Sequence, residues 1–202
     1  MALEGWRNLL EQPIPRPLRL PKETVRPAVI FTDGACPSPR DTTIARPGVG
    51  GVLFRADEPP IYFHAEPPQS LMDEWLKRET QIVLVETLAA VLALETFGPL
   101  VQHGMIIMMV DAEATEGALI KGYSARSDLC STVGAFWASA LRHNLTIYVD
   151  RVSTHANPAD GPSRGDFADA DELGWVRVEP NWGSLMRTHV RPGTGNFSGP
   201  GL

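Results

Sequence analysis

The sequence predicts a mixed α/β domain, a five-stranded sheet with helices on both faces. Three short apolar segments follow one another closely between residues 28 and 65, which is typical of an antiparallel meander. Two further apolar segments are separated by helical stretches, and strands joined through helices usually run parallel. With 202 residues, of which 43% are hydrophobic, the chain is long enough to bury one sizeable core.

The first half of the chain supplies the predicted meander and one long helix. Residues 28–32 form an apolar strand that ends at Asp33-Gly34, and a loop rich in Pro, Ser and Thr follows. Residues 49–54 and 61–65 are the second and third strands. Helical structure is expected from Ser70, and it is strongest over residues 81–97, before the stop at Gly98-Pro99.

The second half supplies two helix-linked strands. Residues 105–110 are all apolar, as expected of a central strand that is covered on both faces, and Asp111 follows them. Residues 112–121 have a helical composition, residues 127–143 form an amphipathic helix that begins at Ser127, and residues 146–152 are the fifth strand. The predicted domain therefore spans residues 27–165. Residues 166–202 are rich in Gly, Pro and acids, and we expect a loosely packed extension there.

Charge and composition restrict the classes of function. The formal net charge of −6 argues against a simple nucleic-acid binder, unless the carboxylates cluster on metal ions or positive charge is local. Residues 1–26 are basic and rich in proline, so they are read as a linker or docking strap, or equally as a solvated tail. Two cysteines, the lack of a secretion signal and the lack of a membrane-length apolar run predict an intracellular protein, cytoplasmic or nuclear, with no membrane partner.

Two aspartates follow the two strands that look most central. Asp33 ends the first strand and Asp111 ends the fourth. If these strands are neighbours, the two carboxylates meet at the carboxyl edge of the sheet, where sites in open α/β sheets gather. Adjacent carboxylates repel each other unless a cation lies between them, and Mg²⁺ prefers oxygen ligands. The pattern predicts a metal site at this edge.

Two further acids fit the same site. On a helical wheel, Glu86 lies on the alanine-rich side of its helix, which is the side able to approach a sheet closely. A buried carboxylate there needs a cation, and that side of the helix offers no Arg or Lys. Asp160 follows the fifth strand in Asn157-Pro-Ala-Asp160, a turn that leads into a short helix.

Each acid, taken singly, also has an ordinary structural interpretation. Asp33-Gly34 alone is typical of a turn, and Asp111 alone is a candidate helix cap. A single glutamate on a helix is usually solvated, and Asn-Pro-Ala-Asp is a common way into a helix. The functional interpretation depends on all four acids occurring together at the ends of the right elements.

In this arrangement the chain resembles the ribonuclease H family over residues 27–165. Phe31-Thr-Asp-Gly-Ala-Cys36 looks like the first-strand signature of that family, and Glu86 and Asp111 look like its helix glutamate and fourth-strand aspartate. The segment from Val152 to Asp160 is similar to its loop histidine and final aspartate. Asn157-Pro-Ala-Asp-Gly-Pro-Ser-Arg-Gly165 further resembles RNase H domains attached to reverse transcriptases, particularly those of DIRS-like retroelements.

The resemblance implies an endonuclease that hydrolyses the RNA strand of an RNA–DNA hybrid with two Mg²⁺ ions, for which Mn²⁺ is a possible substitute. It implies that Asp33 bridges both ions, that Glu86 and Asp111 hold one of them, and that Asp160 holds the other. His155 is a further catalytic candidate, or an ordinary loop histidine. The remaining implied residues are those expected to contact the 2′-hydroxyl group of the RNA, namely Gly34, Ala35 and Cys36. A reverse transcriptase domain in the same polyprotein is the implied protein partner.

Departures from the family pattern leave other functions open. The loop over residues 34–48 is long, a basic handle for the hybrid is not evident, and the spacing between His155 and Asp160 is short. One alternative is a non-catalytic module of the same fold that binds nucleic acid or braces a polymerase. Another is a transposase-type nuclease or a 3′–5′ exonuclease on the same scaffold. A phosphatase of the haloacid type is disfavoured, as is a typical exonuclease, because both would place an acid at position 35, which is alanine.

Overall fold

The computed structural model describes residues 27–37, 44–183 and 185, so the predicted linker over residues 1–26 lies outside the described residues. In the described part, six strands form one mixed sheet in the order β5-β4-β1-β2-β3-β6. The strands are β1 (Ala28–Ala35), β2 (Gly48–Phe54), β3 (Ile61–Ala65), β4 (Met105–Val110), β5 (Thr146–Arg151) and β6 (Val176–Arg177).

The strand directions confirm the predicted topology. β1, β2 and β3 pair antiparallel in sequence order, as a meander with direct connections requires. β4 and β5 lie on the other side of β1 and run parallel to it, because helices carry the chain back between them. β4 and β1 are therefore neighbours, which was the condition for placing two strand-end aspartates together.

Three helices cover one face of the sheet. They are α2 (Ile82–Phe97), α3 (Glu113–Lys121) and α4 (Ser127–Arg142), and α2 lies between the sheet and α4. Nearly all of α2 is buried, which explains its almost uniformly apolar sequence. By length and composition alone the stretch Ile82–Leu100 would suffice to cross a membrane, contrary to the expectation that no stretch approaches that length. Of the apolar window in this stretch, 72% is buried inside the domain, as expected of a core helix.

Two short helices cover part of the other face. α5 (Asp160–Arg164) contacts β1, β2 and β3, and α6 (Ala168–Glu172) follows it. Val52, Tyr62, Ala159 and Ala170 form a second apolar cluster there, and partly buried aromatic rings pack against it. The expectation of loose packing after residue 165 is therefore wrong for residues 167–178. This segment carries aromatic side chains back onto the sheet and adds β6 beside β3.

Two further elements differ from the sequence prediction. β1 continues through Asp33 to Ala35, because its pairing with β2 extends to Ala35↔Gly48. The helical stretch expected from Ser70 is interrupted: α1 (Gln69–Met72) is one turn long, and α2 begins only at Ile82. Between them, Asp128 on α4 accepts hydrogen bonds from the backbone N–H of Leu76 and from the guanidinium of Arg78. These side-chain contacts hold the segment in place of helical hydrogen bonds.

Candidate active site

Sheet register places Asp33 beside Asp111. β1 and β4 pair in parallel up to Phe31↔Met109, and Asp33 and Asp111 each come two residues after that last pair. The two carboxylates are close enough for the charge of Asp111 to raise the pKa of Asp33. The prediction that the strands leading to these two acids are neighbours is confirmed.

Asp33 is a buried carboxyl group. Only 4% of the residue is exposed, and its Oδ2 accepts a hydrogen bond from the hydroxyl of Ser163, which is 1% exposed. Burial raises the pKa of Asp33 to about 7; the hydrogen bond from Ser163 opposes this shift, and the charges of Asp111 and Asp160 add to it. The fold thus holds a carboxylate where ionisation is unfavourable without a nearby cation.

Glu86 reaches the same region from α2. A Cβ added to Gly34 would lie 2.6 Å from the backbone nitrogen of Glu86, so only glycine lets this turn of α2 lie directly on β1. The Glu86 side chain is partly buried and accepts a hydrogen bond of 3.0 Å from the hydroxyl of Thr115. Burial, together with the charges of Asp111 and Asp33, raises the pKa of Glu86 to about 8. The glutamate therefore faces the acids, as its helical position predicted.

The other two acids lie at the rim of the cluster. Asp111 accepts a hydrogen bond of 3.1 Å from the hydroxyl of Thr154. It does not cap α3, because the residue at the start of that helix is Ala112. Asp160 opens α5, as the Asn-Pro-Ala-Asp pattern indicated, and its Oδ1 forms an ion pair of 3.0 Å with Nε of Arg164. The side chain of Asp160 is 35% exposed.

α5 is docked on the sheet by small residues and polar links. Gly50 lies opposite Asp33 in the register, and a Cβ there would come within 2.5 Å of the backbone nitrogen of Ser163. Buried Asn157 donates a hydrogen bond of 3.0 Å to the carbonyl of Thr32, beyond the point where β4 stops pairing with β1. His64 on β3 donates from Nδ1 to the carbonyl of Pro162 at 2.7 Å. These contacts fix the helix that carries Asp160.

The remaining candidates lie near this cluster without a demonstrated role. His155 is exposed on the 3-10 turn Thr154–Ala156, and its catalytic role stays a prediction. Gly34 and Ala35 are buried within β1, and Cys36 directly follows that strand. Burial and the charge of Glu86 raise the pKa of the Cys36 thiol to about 12, so the thiol is protonated at neutral pH. Contact of these three residues with RNA also stays a prediction.

The donor chemistry of the cluster fits a hard divalent cation. All four acids offer carboxylate oxygens, which Mg²⁺ and Mn²⁺ prefer, and two of them are held in surroundings that disfavour negative charge. Across residues 27–37, 44–183 and 185, however, no three Asp, Glu, His or Cys side chains form a ready-made metal site. One carboxylate oxygen of each acid is engaged by a neighbouring side chain. The assignment of the four acids as metal ligands stays a prediction.

Sequence analysis missed the residues that serve the acids. The hydroxyl groups of Ser163, Thr115 and Thr154 each donate a hydrogen bond to a different carboxylate, and the Asn157 amide donates one to a backbone carbonyl of β1. A single hydroxyl carries no periodic signal. One cue was present, because Ser163 stands three residues after Asp160, one helical turn along the same face.

Comparison with known proteins gives information on the fold. No protein-family model and no curated protein matches the chain. RNase H1 from Halobacterium salinarum matches with a TM-score of 0.52 and 16% identity, over 71% of this chain and 99% of that one. An N-terminal RNase H domain from Mycobacterium tuberculosis matches with a TM-score of 0.50 and 17% identity, over 73% and 97%. LC11-RNase H1, in complex with an RNA/DNA hybrid, matches with a TM-score of 0.51 and 14% identity, over 71% and 98%.

These matches agree with the architecture described above. Each solved structure is covered almost completely, so the shared part is a whole domain rather than one motif. The chain therefore has the ribonuclease H fold.

Proposed function

We propose that this chain is a metal-dependent ribonuclease that hydrolyses the RNA strand of RNA–DNA hybrids. The observation that carries the proposal is the pair Asp33 and Glu86, two carboxyl groups brought together from β1 and α2 with pKa values raised to about 7 and about 8. A fold gains no stability from buried carboxyl groups that repel each other. Perturbed carboxyl groups of this kind are typical of functional sites.

The proposed reaction is phosphodiester hydrolysis at two Mg²⁺ ions, held by Asp33, Glu86, Asp111 and Asp160. The ions supply activation of the attacking water and stabilisation of the charge on the leaving 3′-oxygen. The protein supplies carboxylates fixed on separate elements: Asp33 on the rigid sheet, Glu86 on the core helix and Asp160 on α5. Thr115 and Ser163 restrain the two buried carboxylates, which reduces the reorganisation needed when an ion binds.

The proposed substrate rests on the fold and on the first-strand segment. One structure with this fold, LC11-RNase H1, was solved with an RNA/DNA hybrid. In this chain, β4 stops pairing with β1 at Phe31, so part of one edge of β1 near Asp33 lies free of strand pairing. Backbone groups of Gly34, Ala35 and Cys36 are the proposed sensors of the 2′-hydroxyl group that distinguishes RNA from DNA.

The proposed biological setting is a retroelement, with a reverse transcriptase domain in the same polyprotein and an intracellular location. Support for this setting comes from the segment Asn157-Pro-Ala-Asp-Gly-Pro-Ser-Arg-Gly165, which resembles RNase H domains of DIRS-like elements.

The test is cleavage of a labelled RNA–DNA hybrid by the full chain, beside single-stranded RNA, duplex RNA and duplex DNA. Wild-type protein should cut only the RNA strand of the hybrid, and only with Mg²⁺ or Mn²⁺. Asp33→Asn should abolish cleavage without unfolding the protein, because the amide retains the shape of the side chain and removes its charge. Asp73→Asn, which changes an exposed aspartate after α1, is the matched control and should cut normally. Unchanged cleavage by Asp33→Asn would falsify the assignment.

A non-catalytic module is the second candidate, and one observation favours it. Among residues 27–37, 44–183 and 185, no three Asp, Glu, His or Cys side chains form a ready-made metal site. A domain that only binds nucleic acid or braces a polymerase needs no such metal site. The same assay distinguishes the two candidates, because such a module would bind the hybrid and leave it intact at every Mg²⁺ and Mn²⁺ concentration.

A further inference from the structure

Ser163 occupies a position that links two of the four acids. Its hydroxyl oxygen lies within hydrogen-bonding distance of Asp33 Oδ2 on β1 and 2.9 Å from the backbone carbonyl oxygen of Asp160 on α5. A hydroxyl has one proton to donate, and the bond to a carboxylate is the stronger of the two. Asp33 is therefore the preferred acceptor. The Ser163 oxygen is held in place because Ser163 lies on α5, one helical turn after Asp160.

The surrounding backbone brings Ser163 to this position. A Cβ at Gly50 would approach the Ser163 backbone nitrogen at 2.5 Å, and a Cβ at Gly48 would overlap the Ser163 carbonyl oxygen. Two glycines of β2 thus allow α5 to lie directly on the sheet. Both Ser163 and Asp33 are almost completely buried, so water does not compete for their hydrogen bond.

We propose that Ser163 is a positioning residue, whose buried hydroxyl fixes the Asp33 carboxylate relative to α5 and so sets the separation between Asp33 and Asp160 at which a divalent ion binds. The inference rests on the proposed function only in taking these acids as metal ligands. Ser163 engages Oδ2 and leaves Oδ1 of Asp33 for the cation. Without the hydroxyl, the Asp33 carboxylate is free to rotate and the ion must order it on binding.

The test measures Mn²⁺ affinity by calorimetry on the full chain, separately from activity. Ser163→Ala should bind Mn²⁺ about tenfold more weakly than wild type, because a hydrogen bond to a charged group is worth about 1.5 kcal/mol or more. The matched control is Ser139→Ala. Ser139 is also a fully buried helical serine, but its hydroxyl has no hydrogen-bond partner among the described residues. This control should bind Mn²⁺ as wild type does.

Kinetics on the hybrid give a second readout that a purely structural role would not reproduce. Ser163→Ala should lose kcat at low Mn²⁺, recover it as Mn²⁺ is raised, and keep its KM for the hybrid. Ser163→Cys, a similar shape with a weak donor, should behave like Ser163→Ala and replaces it if the alanine variant fails to fold. Wild-type Mn²⁺ affinity in the folded variant, or absence of Mn²⁺ binding by the wild-type chain, overturns the inference. A wild-type chain that binds Mn²⁺ but leaves the hybrid uncut overturns the proposed function, while the affinity difference still decides the role of Ser163.

Discussion

Two helices approach β1 from opposite faces near Asp33, and they are held in different ways. α2 has 16 residues, lies in the main core and brings Glu86 over Gly34 through apolar packing. α5 has 5 residues and brings Asp160 and Ser163 over Gly50 through a few buried polar links. The first arrangement is supported by the bulk of the fold, whereas the second depends on single hydrogen bonds. The two halves of the acidic cluster should therefore respond differently to the same kind of substitution.

The largest effect on stability is expected from Gly34→Ala. The new Cβ would lie within 2.8 Å of three backbone atoms of α2, and this helix cannot shift without disturbing the main core. We expect a loss of about 3 kcal/mol in the free energy of unfolding, measured by urea denaturation, together with loss of cleavage. Gly117→Ala on α3 is the control, since nothing lies within 4 Å of its added Cβ, and it should be neutral or slightly stabilising. Equal stabilities of the two variants would contradict this account of α2.

Gly50→Ala should separate stability from activity. Its Cβ would collide with the backbone of α5, which is short and able to move away from the sheet at a smaller cost. We expect a loss of about 1–2 kcal/mol in unfolding free energy, but a large fall in kcat, because Asp160 and Ser163 move with the helix. Urea denaturation and hybrid cleavage measured on one preparation would check this. If kcat is retained, the position of α5 is not critical for the site.

The two buried carboxyl groups predict how the metal-free protein responds to pH. Asp33 and Glu86 hold their protons more tightly in the folded chain, where their pKa values are about 7 and about 8, than in the unfolded chain, where such groups titrate near 4. The folded state therefore binds more protons than the unfolded state across this range, and stability contributed by these groups is lost as pH rises through 7 and 8.

In EDTA, the Tm should accordingly fall between pH 6 and pH 9, by roughly 10 °C for a loss of roughly 4 kcal/mol. Added Mg²⁺ should restore the Tm most strongly at pH 9, where both carboxylates are ionised and available to the ion. Asp33→Asn should flatten the pH dependence in EDTA. A Tm that is independent of pH in wild-type protein would show that the two groups titrate normally.

The smallest effect is expected from Ser139→Ala on the α2 side of the sheet. The Ser139 hydroxyl is fully buried and has no hydrogen-bond partner among the described residues, so its removal relieves an unsatisfied polar group. We expect a gain of about 1 kcal/mol in unfolding free energy. Ser163→Ala on the α5 side should not give this gain, since its hydroxyl is used. The two serines thus compare the same deletion on opposite sides of the sheet.

The two faces of the sheet differ in how much of their structure could be predicted from the sequence. The apolar patterns of β1, β4 and α2 are local signals, and they placed Asp33, Asp111 and Glu86 correctly on neighbouring elements. The contacts that dock α5 join residues about 130 positions apart, as Ser163 and Asp33 are, and short-range periodicity contains no information on them. The sequence also could not show that, among the described residues, these carboxylates form no ready-made metal site, because this depends on the side-chain conformations.

The short strand β6 and the residues beside it, near the end of the described chain, cover one edge of the sheet. Trp175 packs edge-on against Phe54 and Tyr62, and the backbone N–H of Val178 donates to the Tyr62 carbonyl. Deletion of the residues after 165 would remove Trp175 and so expose the rings of Phe54 and Tyr62. It would also leave backbone hydrogen-bonding groups of β3 unpaired and able to pair with other molecules. A shortened protein that ends there is expected to self-associate, whereas one that retains the Trp175 segment keeps that border of the sheet closed.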